Sequence, residues 1–418
     1  MNKLKKIFSP RRLIIFFSVL LLVFSLSFVN KPSQSETQGI VTSMAVDYVD
    51  QQIELACSVI TPTTSLNSKS SLYSAKADTV AEAVELIGMQ MGKSLGFAQC
   101  DVVAVGQGLM EYGIIHSLDY LTRTKKVGKN VLLVGFEGEA KQIIESFIYL
   151  QESLSLQIPQ ILKYNKEFIL AVDSSLENFY LGYYGDTGIS IMPKVSMQEV
   201  NTTGGIEVTL NETSPSELGA QGGDGSDVAG SSDKKKMYFV NDGETVVLRQ
   251  GVKILDITPK EIKKLNLFFN DAKYGAYKII GVEDEIYKNA DIILRLEDKT
   301  SSLKFKFKDG KPTVTLDLAM YLQVEEIIEE TKNKKLLRRE DELMTDAVVE
   351  KIKEKLNRNL NEAVELMKSN NADILGVCGM FNKFHYKKWK KYSEKQENKE
   401  NLLQNIDFDW KINIAQYL

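Results

Sequence analysis

The sequence predicts a mixed α+β protein of several domains, with sheets packed against helices. Three observations carry this. Short apolar strands alternate with amphipathic helices between about residues 40 and 150. A hairpin signal, a long helix and a closing strand follow one another from 301 to the end. Between them lies a stretch dominated by Gly, Ser, Thr and Asp. At 418 residues, 43% apolar and 26% charged, the chain has material for two or three cores.

Residues 40–46 read as a strand and 53–60 as its partner, with Asp50, Gln51 and Gln52 at the turn. A Ser/Thr-rich loop is expected over 61–71. Asp78 then caps a helix in which Val80, Val84 and Ile87 share a face. Residues 102–105 form a short buried strand, 109–121 a helix, 131–135 a strand, and 139–150 another helix. From 201 to 233 apolar residues are sparse, the composition of a flexible loop or linker.

A second block opens near Met237. Residues 238–240 and 244–249 flank Asn241-Asp-Gly243, a hairpin signal. Thr258-Pro-Lys-Glu261 is a helix start with a capping box. Residues 302–308 and 312–324 form a second hairpin about Asp309-Gly310, with Phe305 and Phe307 on one face. A helix is predicted over 341–367, because Met344, Val348, Ile352, Leu356, Leu360, Val364 and Met367 form one stripe. Lys355 belongs to its polar side. Ile406, Phe408, Trp410, Ile412 and Ile414 alternate with polar residues as a closing strand. The expected division is therefore 1–38 tail, anchor and spacer, 39–200 an α/β domain, 201–236 linker, 237–300 a middle region, and 301–418 a C-terminal domain.

The N-terminus sets the topology. Lys3, Lys5, Lys6, Arg11 and Arg12 precede the uncharged residues 13–29. As a helix at ~1.5 Å per residue this run spans ~25 Å, near the lower limit for crossing a bilayer. Positive charge on its N-terminal side predicts export of everything that follows. The competing reading, a cleaved signal peptide, has only Ser25-Leu-Ser27 as a weak cleavage site.

Catalytic and ligand motifs are scarce. Gly106-Gln-Gly108-Leu-Met-Glu111 follows a strand, but Glu111 stands where a dinucleotide turn needs its third glycine. A tight strand-to-helix turn is the expected reading. No Gly-x-Ser-x-Gly elbow occurs, and Asp173-Ser-Ser175 has no histidine near it in sequence. His116 is assigned to an exposed helix face. His385 lies in a basic, aromatic run over 384–391, read as a solvated helix face or a surface near phospholipid headgroups. Cys57, Cys100 and Cys378 are too far apart for a framework and read as buried apolar residues. A net charge of −4 argues against nucleic acid. No catalytic, cofactor or metal residue is assigned.

Taken in order, the landmarks resemble the Ger(x)C family, the C subunits of bacterial spore germinant receptors. The first strand ends on an acidic residue, Asp47, and Tyr73-Ser-Ala-Lys-Ala-Asp-Thr-Val-Ala-Glu-Ala83 is similar to the family's next segment. Asp101-Val-Val-Ala-Val-Gly106, Gly113 and Leu118-Asp-Tyr-Leu-Thr-Arg123 follow, and near the end Ala372-Asp-Ile-Leu-Gly376 and Trp389-Lys390. Members are typically lipoproteins, whereas no cysteine follows the apolar run here. The resemblance implies a non-enzymatic, membrane-anchored subunit acting in germination. It would sit on the outer face of the cytoplasmic or spore inner membrane, beside a polytopic A-type receptor and a permease-like B-type subunit. The alternatives are an extracytoplasmic solute-binding or envelope-assembly module with no role in germination, or an exported hydrolase.

Overall fold

The computed structural model describes residues 17–21, 38–60, 70–123, 127–149, 158, 160, 162–163, 175–200, 236–240, 244–270, 274–329, 344–396 and 402–416. Of the predicted anchor only residues 17–21 are among these, and they are helical. Among the described residues no helix is long and apolar enough to cross a membrane. Residues 201–235 of the predicted linker, and the start of the predicted 341–367 helix, lie outside the described residues.

The fold begins with a hairpin, β1 (Gln38–Val49) and β2 (Gln52–Ile60). Asp50 and Gln51 turn it at φ 54° and 64°. Two successive left-handed residues make the type I′ turn, whose twist matches the flanking strands. β3 (Ser70–Ala77) adds antiparallel to β2 and begins inside the expected loop. An edge strand of small and polar residues shows too little apolar alternation to be read from sequence. Helix α1 (Val80–Met91) buries Val80, Ala83, Val84 and Ile87. Its cap is Thr79, whose hydroxyl accepts from Glu82 N, and not Asp78 as expected. Thr79 directly precedes the first helical residue, so its oxygen alone has the right offset.

β4 (Ser94–Gly96) and β5 (Val102–Gly106) lie parallel to β1. The single helix expected over 109–121 is two, α2 (Gln107–Tyr112) and α3 (Ile115–Arg123). They are broken at Gly113, whose φ of 121° suits glycine. β6 (Leu132–Phe136) and α4 (Ala140–Tyr149) follow as expected, then α5 (Leu176–Tyr183) and β7 (Ile189–Val200).

The hairpin expected about Asn241-Asp-Gly243 does not form. β8 (Lys236–Val240) and β9 (Thr245–Arg249) both pair with β7, at successive stretches of that strand. A long neighbouring strand offers both segments a partner in one line, which the local turn signal could not reveal. The real reversal comes at Gln250-Gly251, between β9 and β10 (Val252–Ile257), again with both φ positive.

These strands make one mixed sheet in the order β10-β9-β7-β6-β5-β1-β2-β3. Its central strands are buried on both faces. Met44, Val46, Leu55, Val103 and Val105 face α1 to α3 and α5, while Ala45, Ala56, Val102, Ala104 and Val134 face α4 through Ile143 and Ile144. The alanines keep the second face shallow, which lets α4 lie close. Because β8–β10 complete this sheet, the predicted 237–300 region is shared between the two sheets.

The second sheet has the order β11-β12-β13-β14. Helix α6 (Pro259–Leu265) leads into it and carries the predicted capping box of Thr258 with Glu261. β11 (Gly275–Val282) pairs with β12 (Ala290–Lys308), which turns at Asp309-Gly310 into β13 (Lys311–Glu329). Helix α7 (Asp346–Ser369) is capped by Thr345 and starts later than expected. Met344 therefore precedes the helix, while the rest of the stripe, from Val348 to Met367, is buried as predicted. Helix α8 (Val377–Ser393), a short turn (Leu402–Asn405) and β14 (Asp407–Gln416) close the chain, β14 lying parallel to β13. One core cluster contains Ile189, Val247 and Ile257 of the first sheet together with the α7 stripe, so the two sheets share packed interior.

Lys355 is not a free surface residue: its Nζ donates to Lys278 O at 2.8 Å. Glu350, 71% exposed, is the better polar control on α7. Leu356→Ala, at a fully buried mid-stripe position, is expected to cost ~2–5 kcal/mol in urea unfolding. Glu350→Ala should stay within about 0.5 kcal/mol. Equal effects would place the stripe outside the core.

Candidate functional site

A tightly constrained place in the first sheet surrounds one carboxylate. Asp47 lies near the end of β1 and is only 2% exposed. Its Oδ1 accepts from Tyr48 N at 2.8 Å and from Leu109 N at 3.1 Å; Oδ2 accepts from Ala140 N at 3.0 Å. Leu109 is in the first turn of α2 and Ala140 opens α4. One side chain therefore supplies the acceptor that two helix starts need, where their partial positive charge favours an anion. Burial pushes the Asp47 carboxyl up from its ordinary value, the three backbone donors pull it down, and Glu139 adds repulsion; the net direction is upward.

The flagged glycines exist for this contact. A Cβ at Gly106 would stand 2.0 Å from Asp47 Oδ2, and one at Gly108 2.3 Å from Tyr48 O. The glycine turn is thus the tight strand-to-helix connection expected, wrapped around the protein's own anion. Glu111, at the position of the missing third glycine, is exposed and accepts from Gln107 Nε2 at 2.9 Å.

A second buried carboxylate repeats the device. Asp373, 3% exposed, accepts from Val377 N at 2.7 Å and Cys378 N at 2.8 Å, capping α8. Burial raises its pKa, against the pull of those two donors. Arg249 Nη2 donates to Asn370 O at 3.2 Å and Asn371 O at 2.9 Å, tying the end of β9 to the α7–α8 connection. Sequence reading picked out both aspartates as parts of motifs; their capping roles depend on contacts across the fold.

Elsewhere the titratable groups serve structure. Lys194, 7% exposed, meets Glu244 at 3.0 Å, Glu137 at 3.2 Å and Asp256 at 3.9 Å. Burial disfavours its charge, but these carboxylates outweigh that and raise its pKa. His116 is exposed, as expected. His385 bonds Phe305 O at 2.7 Å. The three cysteines are buried and unpaired; burial drives Cys57 and Cys378 well above the thiol range and Cys100 up to about 12, so none is a ready nucleophile. Among the described residues no cluster of three His, Cys, Asp or Glu could hold a metal ion.

Two clefts open on the second sheet. One, of about 580 Å³, lies between α6, β11 and α7 and is rich in lysine. Its ammonium groups have work already: Lys263, Lys355 and Lys351 donate to the carbonyls of Ala276, Lys278 and Ile280. These are alternate residues along the outer edge of β11, so the lysines close that edge to a further strand. The other, of about 720 Å³, lies at the hairpin tip beside β14. There Lys308 pairs with Asp409, and Trp410 Nε1 donates to Asn357 Oδ1 at 2.6 Å.

The Asp47 contact makes two predictions for urea unfolding. Asp47→Ala leaves three N–H groups without their acceptor and should cost at least about 3 kcal/mol. Because the folded pKa is raised, the contribution is fullest below the ordinary carboxylate value and declines as pH rises through the raised one. The advantage of wild type over Asp47→Asn should therefore shrink with rising pH; a widening gap would reverse the assignment.

Comparison with known proteins follows the same two-part order as the sheets. Residues 33–197 match the family model described as the spore germination protein N-terminal domain, and residues 243–415 match the one described as spore germination B3/GerAC like, C-terminal. A crystal structure of the GerBC protein aligns over 90% of this chain and 97% of its own, at 12% identity and a TM-score of 0.49. No curated protein matches the sequence. Since the two models span both sheets and nearly all of the folded chain, the protein belongs to the Ger(x)C family of spore germination proteins.

Proposed function

We propose that this chain is a non-enzymatic, membrane-anchored subunit of a germinant-receptor complex, acting through assembly with polytopic A-type and permease-like B-type subunits. The observation that carries the reading is the match of both halves to spore germination domains. The use of the buried carboxylates fits it: Asp47 and Asp373 are committed to helix caps, leaving neither poised for chemistry. Anchoring rests on the uncharged run 13–29 and the five basic residues before it. Within that run Phe17 and Leu21 are 59% and 73% exposed, apolar surface that a bilayer would cover. An anchored domain meets its membrane partners at high effective concentration, so modest contacts suffice for assembly.

Crosslinking in sporulating cells, followed by purification from membranes and mass spectrometry, should recover a polytopic receptor subunit and a permease-like subunit. Recovery of the chain without either would overturn the proposal. Leu21→Asp, near the centre of the apolar run, should cost roughly 2.5–3.5 kcal/mol of insertion and shift protein to the soluble fraction. Unchanged membrane retention would mean that another segment holds it.

A further inference from the structure

The two faces of α8 differ sharply. Its inner face is fixed by aromatic packing: Phe381 stacks on Trp389 with centroids 5.4 Å apart and meets Phe305 and Phe307 edge-on. Its outer face carries Lys383, Lys387, Lys388, Lys390 and Lys391, all exposed, with no acidic residue between Ile374 and Ser393. Among the described residues none of these five lysines has a carboxylate in ion-pair range. Other lysines are neutralised, as Lys76 is by Asp50, Lys278 by Asp291 and Lys304 by Asp317.

Two aromatic rings share this basic face. Phe384 is 58% and Tyr386 57% exposed. At about 100° per residue, 384 and 386 lie to either side of His385. Here His385 leaves helical geometry, at φ −133° and ψ 35°, while its ring holds Phe305 O. Both rings lie exposed among the lysines, with Lys383 and Lys390 near their faces at 5.5 and 6.0 Å.

We infer that the outer face of α8 is a peripheral membrane-contact surface that takes the headgroups of anionic phospholipid. Unpaired lysines supply attraction for a negatively charged leaflet, and exposed Phe and Tyr are the side chains that settle at the headgroup level. The setting rests on the proposed anchor: eight residues, 30–37, separate the apolar run from β1. Even fully extended they reach only about 30 Å, so some face of the folded region must lie near the bilayer. The α8 surface combines five exposed lysines with two exposed aromatic rings. The contact gives the folded region a fixed orientation on the membrane, where a tether alone would leave it free to turn.

The test needs neither anchor nor partner subunit, so it can fail independently of the proposed function. The described residues before Gln38, 17–21, are exposed and belong to none of the three buried clusters, and residues 38–418 carry every described core residue. This region should sediment with vesicles containing phosphatidylglycerol, remain free of pure phosphatidylcholine vesicles, and be released by high salt. Each of Lys387→Gln, Lys388→Gln and Lys391→Gln should weaken partitioning about fivefold. Phe384→Ser should weaken it without changing its salt dependence. All four side chains are exposed, so thermal melts of the variants should match the parent. Equal binding to both vesicle types, or undiminished binding by the triple variant, overturns the inference. So does tighter binding of a single-stranded RNA than of the anionic vesicles, which would assign the face to a different polyanion.

Discussion

A helix that starts against a sheet, away from water, leaves backbone N–H groups that must find an acceptor within the protein. In this fold the central demand falls on Asp47, which answers it for α2 and α4 together. Much of the first sheet's architecture depends on that contact. The carboxylate comes from β1, and the two helices follow β5 and β6, so one side chain fixes where three neighbouring strands stand relative to the helices above and below. The glycines at 106 and 108 are consequences of the same demand, since any Cβ there would occupy space that Asp47 and the Tyr48 carbonyl already fill.

Side-chain charge is used in the same manner elsewhere. Lys299, 3% exposed, donates to Asn266 O at 2.5 Å and Phe269 O at 2.6 Å, closing the chain at the end of α6. Lys263, Lys351 and Lys355 cover the outer carbonyls of β11, and Asp373 caps α8. In each case a charged group satisfies backbone that secondary structure leaves unpaired. A charged residue so committed is held by the backbone it satisfies and is less free for acid–base work or for a ligand.

What remains unspent is therefore informative. The basic face of α8 lacks such partners among the described residues, and Phe384 and Tyr386 stand exposed on either side of the kink at His385, whose ring bonds Phe305 O. Membership of a spore germination family and a surface of this character are consistent with a protein whose work is done by contact. A shared apolar core and the bonds from Arg249 to the α7–α8 connection hold the two sheets in one frame. The outer surface is thereby held in a constant arrangement.

The sequence alone determined the features that depend on near neighbours. The stripe from Val348 to Met367, the capping box at Thr258, the turn at Asp309-Gly310 and the closing strand of Phe408, Trp410 and Ile412 are set by residues within a few positions of one another. Their order was also enough to point to the family. Tertiary structure decided what depends on distant partners. Asn241-Asp-Gly243 carries a sound hairpin signal, yet β7 is long enough to pair with the strands on both sides of it. Asp47 shows no sign in its local sequence that it caps helices 62 and 93 residues away. Run 384–391 reads as a basic, aromatic stretch, but only the tertiary structure shows that Trp389 is buried while Phe384 and Tyr386 are exposed. Local propensity acts through the short-range geometry of the backbone, whereas burial and buried polar partnerships exist only once remote segments have met.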